Sequence, residues 1–128
     1  MRSLNRVSIV LAVGAGGAVG TVGRVAVFDL LEALDLGVVY PLIAVNLVGA
    51  LALGWYVGKT RAHDSMGPNL VAFTAVGLLG SFTTFSGFAL ETVESLRTGS
   101  ATGATFLVLV SVGGGFAMAA VGRIVASR

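Results

Sequence analysis

The sequence predicts an all-α membrane protein of four transmembrane helices with a break in the third. Three observations carry that prediction. Only 11% of the 128 residues are charged and 55% are hydrophobic, whereas a soluble domain carries roughly a quarter charged residues. Four stretches hold no Asp, Glu, Lys or Arg: Val7–Gly23, Leu36–Gly58, Ser65–Leu90 and Thr98–Gly122. Each is close to or above the roughly 17–25 residues that a spanning helix needs. The third stretch is interrupted by Gly77, Gly80, Ser81, Phe82, Thr83, Thr84, Phe85 and Ser86. Broken backbone at membrane depth survives only inside protein or against a wet cavity. Near the midplane it points to an ion or substrate site.

Helix 1 is expected over about Val7–Phe28, with Arg24 placed to snorkel toward the interface. Arg2 and Arg6 precede its apolar run like the head of a signal peptide. The run is too long for one and no small-residue cleavage site closes it, so it reads as a retained helix. Helix 2 is expected over Val38–Gly58, with Pro41 in its first turn, where the missing N–H costs little. Tyr40 at one end and Trp55 and Tyr56 at the other fit aromatic belts. The polar connection Lys59–Pro68 holds the single histidine, His63, read as solvated. Helix 3 is expected over Pro68–Leu96, helix 4 over Ala101–Ile124. Ala12, Gly16 and Gly20, and then Asn46, Ala50, Gly54 and Gly58, recur every fourth residue. Small residues at this spacing let helices approach closely in lipid. Residues 1–128 thus read as a single four-helix transmembrane domain. Four short helices can hardly surround a pore, so an oligomer is expected.

The chemistry-bearing residues are few. Apart from Glu91 and Glu94 at the amphipathic end of helix 3, no span carries an acidic residue, a Lys or a His, which argues against a proton relay. The absence of cysteine excludes disulfides and thiolate metal sites. No Ser-His-Asp set or metal-ligand cluster suggests an enzyme. The basic residues sit at span ends, a topology signal and not a nucleic-acid surface. The polar groups at depth are Asn46, the Ser81/Thr83/Thr84/Ser86 set and Ser111, with Ser8 and Thr21 peripheral. An unpaired amide in hydrocarbon is unfavourable by several kcal/mol, so Asn46 either bonds another helix or faces a pathway. Phe82 and Phe85 are three apart, which on a helix is one face. They are either core residues or rings whose positive edges meet a small anion.

Three motifs then point to a family. Gly16-Gly17-Ala18-Val19-Gly20-Thr21-Val22-Gly23-Arg24, Pro41-Leu42-Ile43-Ala44-Val45-Asn46-Leu47-Val48-Gly49 and Gly77–Phe88 occur in order on helices 1, 2 and 3. Along essentially its whole length the chain resembles the Fluc (CrcB) fluoride channels. The resemblance implies a fluoride-selective channel that exports the ion passively and so lowers cytoplasmic fluoride toxicity. It implies an antiparallel dimer in the cell membrane. Phe82 and Phe85 would be the ring pair, and Asn46 would donate to fluoride near the pore mouth. Thr83 and Thr84 lie in the signature, Ser111 would line a polar track on helix 4, and Arg24 would stand at the vestibule. Gly77 and Gly80 would offer backbone carbonyls to a structural sodium ion. Val25, Gly87, Leu107 and Gly115 depart from the family pattern, which leaves the helix 4 track sparse. The alternative, a small multidrug-type dimeric antiporter, needs a membrane-embedded Glu in helix 1, and Val7–Gly23 has none.

Charge bias predicts orientation. The side holding both termini carries Arg2, Arg6, Lys59, Arg61, Arg123 and Arg128, and the other side carries only Arg24 and Arg97. Basic residues stay cytoplasmic, so both termini are expected mainly inside. An antiparallel dimer would then call for an oppositely oriented homologous subunit, unless the chain inserts both ways.

Overall fold

Helices that cannot gain by hiding apolar surface from lipid must hold together by close packing, and glycine sets where that happens here. The computed structural model describes residues 2–62 and 66–128, so His63 lies outside the described residues. Helix α1 runs Arg2–Glu32 and α2 runs Val39–Ala62. The third span comprises α3 (Pro68–Val71), a π-helical segment Ala72–Leu79, the short α4 (Gly80–Phe82) and α5 (Phe85–Arg97). The fourth comprises α6 (Ala101–Val108), a π-helical segment Leu109–Gly113 and α7 (Gly114–Ala126). Four helical stretches, Asn5–Glu32, Val39–Thr60, Pro68–Arg97 and Ala101–Ala126, are long and apolar enough to cross a bilayer. The chain is a multi-pass membrane protein.

Turn chemistry closes the connections. Asp35 and Gly37 take φ of 57° and 66° between α1 and α2. Gly99, at φ 81°, ends α5. The Ser100 N–H then donates to the Ser95 carbonyl at 2.8 Å, a Schellman closure. The Ser100 hydroxyl accepts from the Gly103 N–H at 3.2 Å and caps α6. The tight link makes α5 and α6 antiparallel neighbours.

The bundle is two close-packed pairs. Against α1, a Cβ on Gly16 would strike the Phe73 carbonyl, and one on Gly20 the Leu78 carbonyl. Gly77 answers from the third span, where a Cβ would lie 2.5 Å from the Val13 carbonyl. In the second pair, Gly54 of α2 meets the Ala119 carbonyl and Gly122 of α7 meets the Leu51 carbonyl. The two pairs meet each other more sparsely. A small core of Leu42, Val45, Leu79 and Leu107 is buried among them.

Two expectations change. Tyr56 is no belt residue: it is 7% exposed, while Trp55 is 47% and Tyr40 60% exposed. Successive helix positions point about 100° apart, so Trp55 and Tyr56 cannot share one environment. The break also narrows within the expected Gly77–Ser86 stretch. Gly77–Phe82 stays helical, with wide π turns up to Leu79, and the chain extends only at Thr83 (φ −78°, ψ 162°) and Thr84 (φ −143°, ψ 116°). Glycine weakens a helix without having to end it, and Gly77 serves close packing instead.

Candidate ion path at the broken helix

The break contains neither glycine nor proline, and both threonines hold ordinary extended backbone. Its polar groups are satisfied from elsewhere. The Thr83 N–H and hydroxyl both donate to the Leu79 carbonyl, at 3.1 and 3.0 Å. The Thr83 carbonyl accepts from Arg24 Nη1 at 3.4 Å. The Thr84 N–H donates to Asn46 Oδ1 at 2.9 Å, and the Thr84 carbonyl accepts from Asn46 Nδ2 at 3.2 Å. The Thr84 hydroxyl accepts from the Gly87 N–H at 3.1 Å and so caps α5. Asn46 therefore makes an interhelical bond and also lines a cavity.

Cavities lie where the two helix pairs meet loosely. One of about 230 Å³ is lined by Asn46, Thr83, Thr84, Phe85, Phe88, Ser111 and Val112. A second, of about 260 Å³, shares Asn46, Thr83 and Ser111 and continues past Gly49, Leu79, Gly80 and Gly115. Neither lining includes a charged side chain. On the other side of Thr84, an open cleft of about 570 Å³ holds Arg24, Asp29, Ser86 and Glu91. Ser111 sits in the π-helical segment of the fourth span. Its hydroxyl is buried with no hydrogen-bond partner among the described residues. Leu107, one turn earlier, is 1% exposed and belongs to the core.

The phenylalanines separate. Phe82 and Phe85 do not share a helical face, because the backbone extends between them. The Phe82 ring is wedged between α1 and α2: a Cβ at Gly23 or at Gly49 would each lie 3.5 Å from it. It is not among the lining residues of the three cavities. Phe85 is 80% exposed, and its ring centroid lies 5.7 Å from that of Phe88 at 49°. Sequence reasoning missed Phe88. The signal was present, since Phe85 and Phe88 are also three apart and lie on one unbroken helix.

The two glycines differ in what they present to a cation. In a continuous helix the Thr84 N–H would close onto the Gly80 carbonyl; here it goes to Asn46. Gly80 is exposed, and a Cβ there would meet nothing nearer than 3.8 Å. Gly77 is buried against α1, and its carbonyl accepts from the Gly80 N–H. The Gly80 carbonyl, released by Thr84 at an exposed residue, fits a backbone ligand for a hard cation; Gly77 is buried and its carbonyl is already engaged.

Fold and site together define a four-span membrane protein with an uncharged, donor-lined seam at a broken helix. Residues 11–123 match the family described as CrcB-like protein, Camphor Resistance (CrcB), and the chain belongs to that family. It is similar to the fluoride-specific ion channel FluC of Chlorobium phaeobacteroides, 34% identical over 110 residues that cover 86% of each chain. The FluC of Rhodospirillum centenum is 39% identical over 115 residues, 85% of this chain and 90% of the relative. That of Nautilia profundicola is 30% identical over 113 residues, 88% of each.

Proposed function

We propose that this protein is a fluoride-selective channel that lets fluoride leave the cell down its electrochemical gradient. One observation carries the reading most directly. Asn46, Thr83, Thr84 and Ser111 gather uncharged hydrogen-bonding groups in one lining with the Phe85–Phe88 pair, at the break of the charge-free stretch Ser65–Leu90. Fluoride holds its water tightly, so a path must replace that shell with donors in a narrow space, which also disfavours larger anions. Hydroxyls, an amide and positive ring edges do so without giving the ion a proton. Neutral hydrogen fluoride enters an acid-exposed cell and dissociates inside. The membrane potential, negative inside, then drives the anion out through a passive pore. The relatives named as fluoride-specific channels support the same reading.

The inner cavities open onto the subunit surface beside the exposed Phe85 and Gly80. We assign their enclosure to a second, antiparallel subunit, with the Gly80 carbonyls contributing to a structural sodium site between the two. Sodium supplies cohesion there and takes no part in conduction. The ring pair is Phe85 with Phe88, and Phe82 packs. Both termini lie mainly in the cytoplasm, so the partner is an oppositely oriented homologue. Fluoride efflux from liposomes, with chloride as control, tests the function. A fluoride-selective efflux supports it, and equal or absent fluxes refute it. A topology reporter at the C-terminus tests orientation, and comparable populations both ways would remove the need for a different partner.

A further inference from the structure

The Thr83 carbonyl and the Thr84 N–H belong to one peptide group. Both lie in one rigid plane and point in opposite directions within it. Arg24 of α1 holds the carbonyl at 3.4 Å and Asn46 of α2 holds the N–H at 2.9 Å. Asn46 also takes the next carbonyl, that of Thr84, at 3.2 Å. We infer that Arg24 and Asn46 work as one clamp on the Thr83–Thr84 peptide plane, and that Arg24 is a positioning residue for the ion path.

The physical case rests on what the break lacks. Neither threonine is forced out of a helix by its own chemistry, and Thr83 still closes a helical bond back to Leu79. A continuous helix would pair the Thr84 N–H with the Gly80 carbonyl. The extended geometry persists only if other groups match those lost backbone bonds in a medium without water. Arg24 and Asn46 supply them from two helices, one in each close-packed pair. The plane they hold sits directly before Phe85 and between the cleft that contains Arg24 and the cavity that contains Ser111. Its tilt sets where α5 starts and where Phe85 and Phe88 stand. One Asn46 N–H is engaged with Thr84, which leaves its second for the cavities that Asn46 also lines. Arg24 thus acts through the backbone, beyond any attraction of its charge for anions.

The inference rests on the channel reading only in its flux arm. The structural arm is hydrogen exchange at the Thr84 amide, read by NMR on the assembled protein. Arg24 does not touch that N–H. Even so, Arg24→Met should speed its exchange at least about tenfold, because the released plane can turn. Unchanged exchange would overturn the clamp. Should Arg24→Met fail to assemble, Arg24→Gln, too short to reach the carbonyl, carries the same expectation and the same refutation. In the flux arm, Arg24→Met should lower fluoride flux about tenfold in the wild-type background, but at most about twofold in an Asn46→Ala background. Losses that multiply would mean two independent roles and no clamp. Flux losses in Arg24→Met that vanish in high salt would likewise reduce Arg24 to a surface charge. If the wild-type protein carried no fluoride, the channel reading would fail while the exchange result still decided the clamp.

Discussion

The two kinds of helix contact in this molecule differ in what they exclude. Within each pair, glycine brings backbone onto backbone, Gly20 onto the Leu78 carbonyl and Gly122 onto the Leu51 carbonyl, and no space remains. Between the pairs, Asn46, Thr83 and Ser111 meet around cavities of about 230 and 260 Å³. The dry contacts make the bundle rigid. Along the polar seam that rigidity leaves the buried Ser111 hydroxyl without a partner among the described residues. A loosely packed soluble core would collapse onto such a seam. Here the backbones on either side are already in contact and cannot follow.

Breaking the dry contacts should have the largest effect. Gly20→Val or Gly122→Val places a side chain on a carbonyl, which should cost about 3 kcal/mol or more and abolish a monodisperse assembly in size-exclusion chromatography. Gly14→Ala, where a Cβ meets nothing within 4 Å, should assemble as the wild type does. Next come the rings. Phe85→Ile and Phe88→Ile keep bulk but remove the positive edge, and each should lower fluoride flux at least about tenfold, equivalent to ~1.4 kcal/mol in the barrier. Phe82→Ile should instead lower thermal stability, with flux lowered less than in either of those. A Phe82 variant that assembles normally and carries no fluoride would reassign the ring pair.

Smaller effects sharpen the polar seam. Asn46→Asp places a carboxylate against the path and removes the donor to the Thr84 carbonyl. Flux at neutral pH should fall several-fold, and undiminished flux would take Asn46 off the path. Ser111→Ala removes one unpaired hydroxyl and should lower flux by about threefold, less than ~1 kcal/mol. No change would show that the hydroxyl is not used.

The four spans were legible because charge-free length at bilayer scale has few other meanings, and observed and expected spans differ mainly in where their ends fall. The glycine stripes were legible too, since Gly16, Gly20, Gly54 and Gly58 do face another helix. The interruption was read across Gly77–Ser86, starting at the glycines, because local propensity is all that a single chain displays. Its true place depends on partners far along the chain, Arg24 and Asn46, which take over the backbone groups of Thr83 and Thr84. The same narrowing explains Phe82. Helical spacing linked it to Phe85, and two extended residues undid that link and joined Phe85 to Phe88. Tyr56 was read with Trp55 as an interface aromatic because the two adjoin at one span end; packing buries Tyr56 and leaves Trp55 exposed.

The most direct test of the central claim is fluoride efflux from liposomes holding protein purified from its native membrane, so that any partner subunit accompanies it. Wild type and Phe85→Ile would be compared side by side, with chloride as the control anion. The account predicts rapid, fluoride-selective efflux from the wild type and at least about a tenfold loss in an equally well assembled Phe85→Ile protein. Chloride passing as readily as fluoride, or Phe85→Ile conducting like the wild type, would contradict a fluoride path along the broken helix.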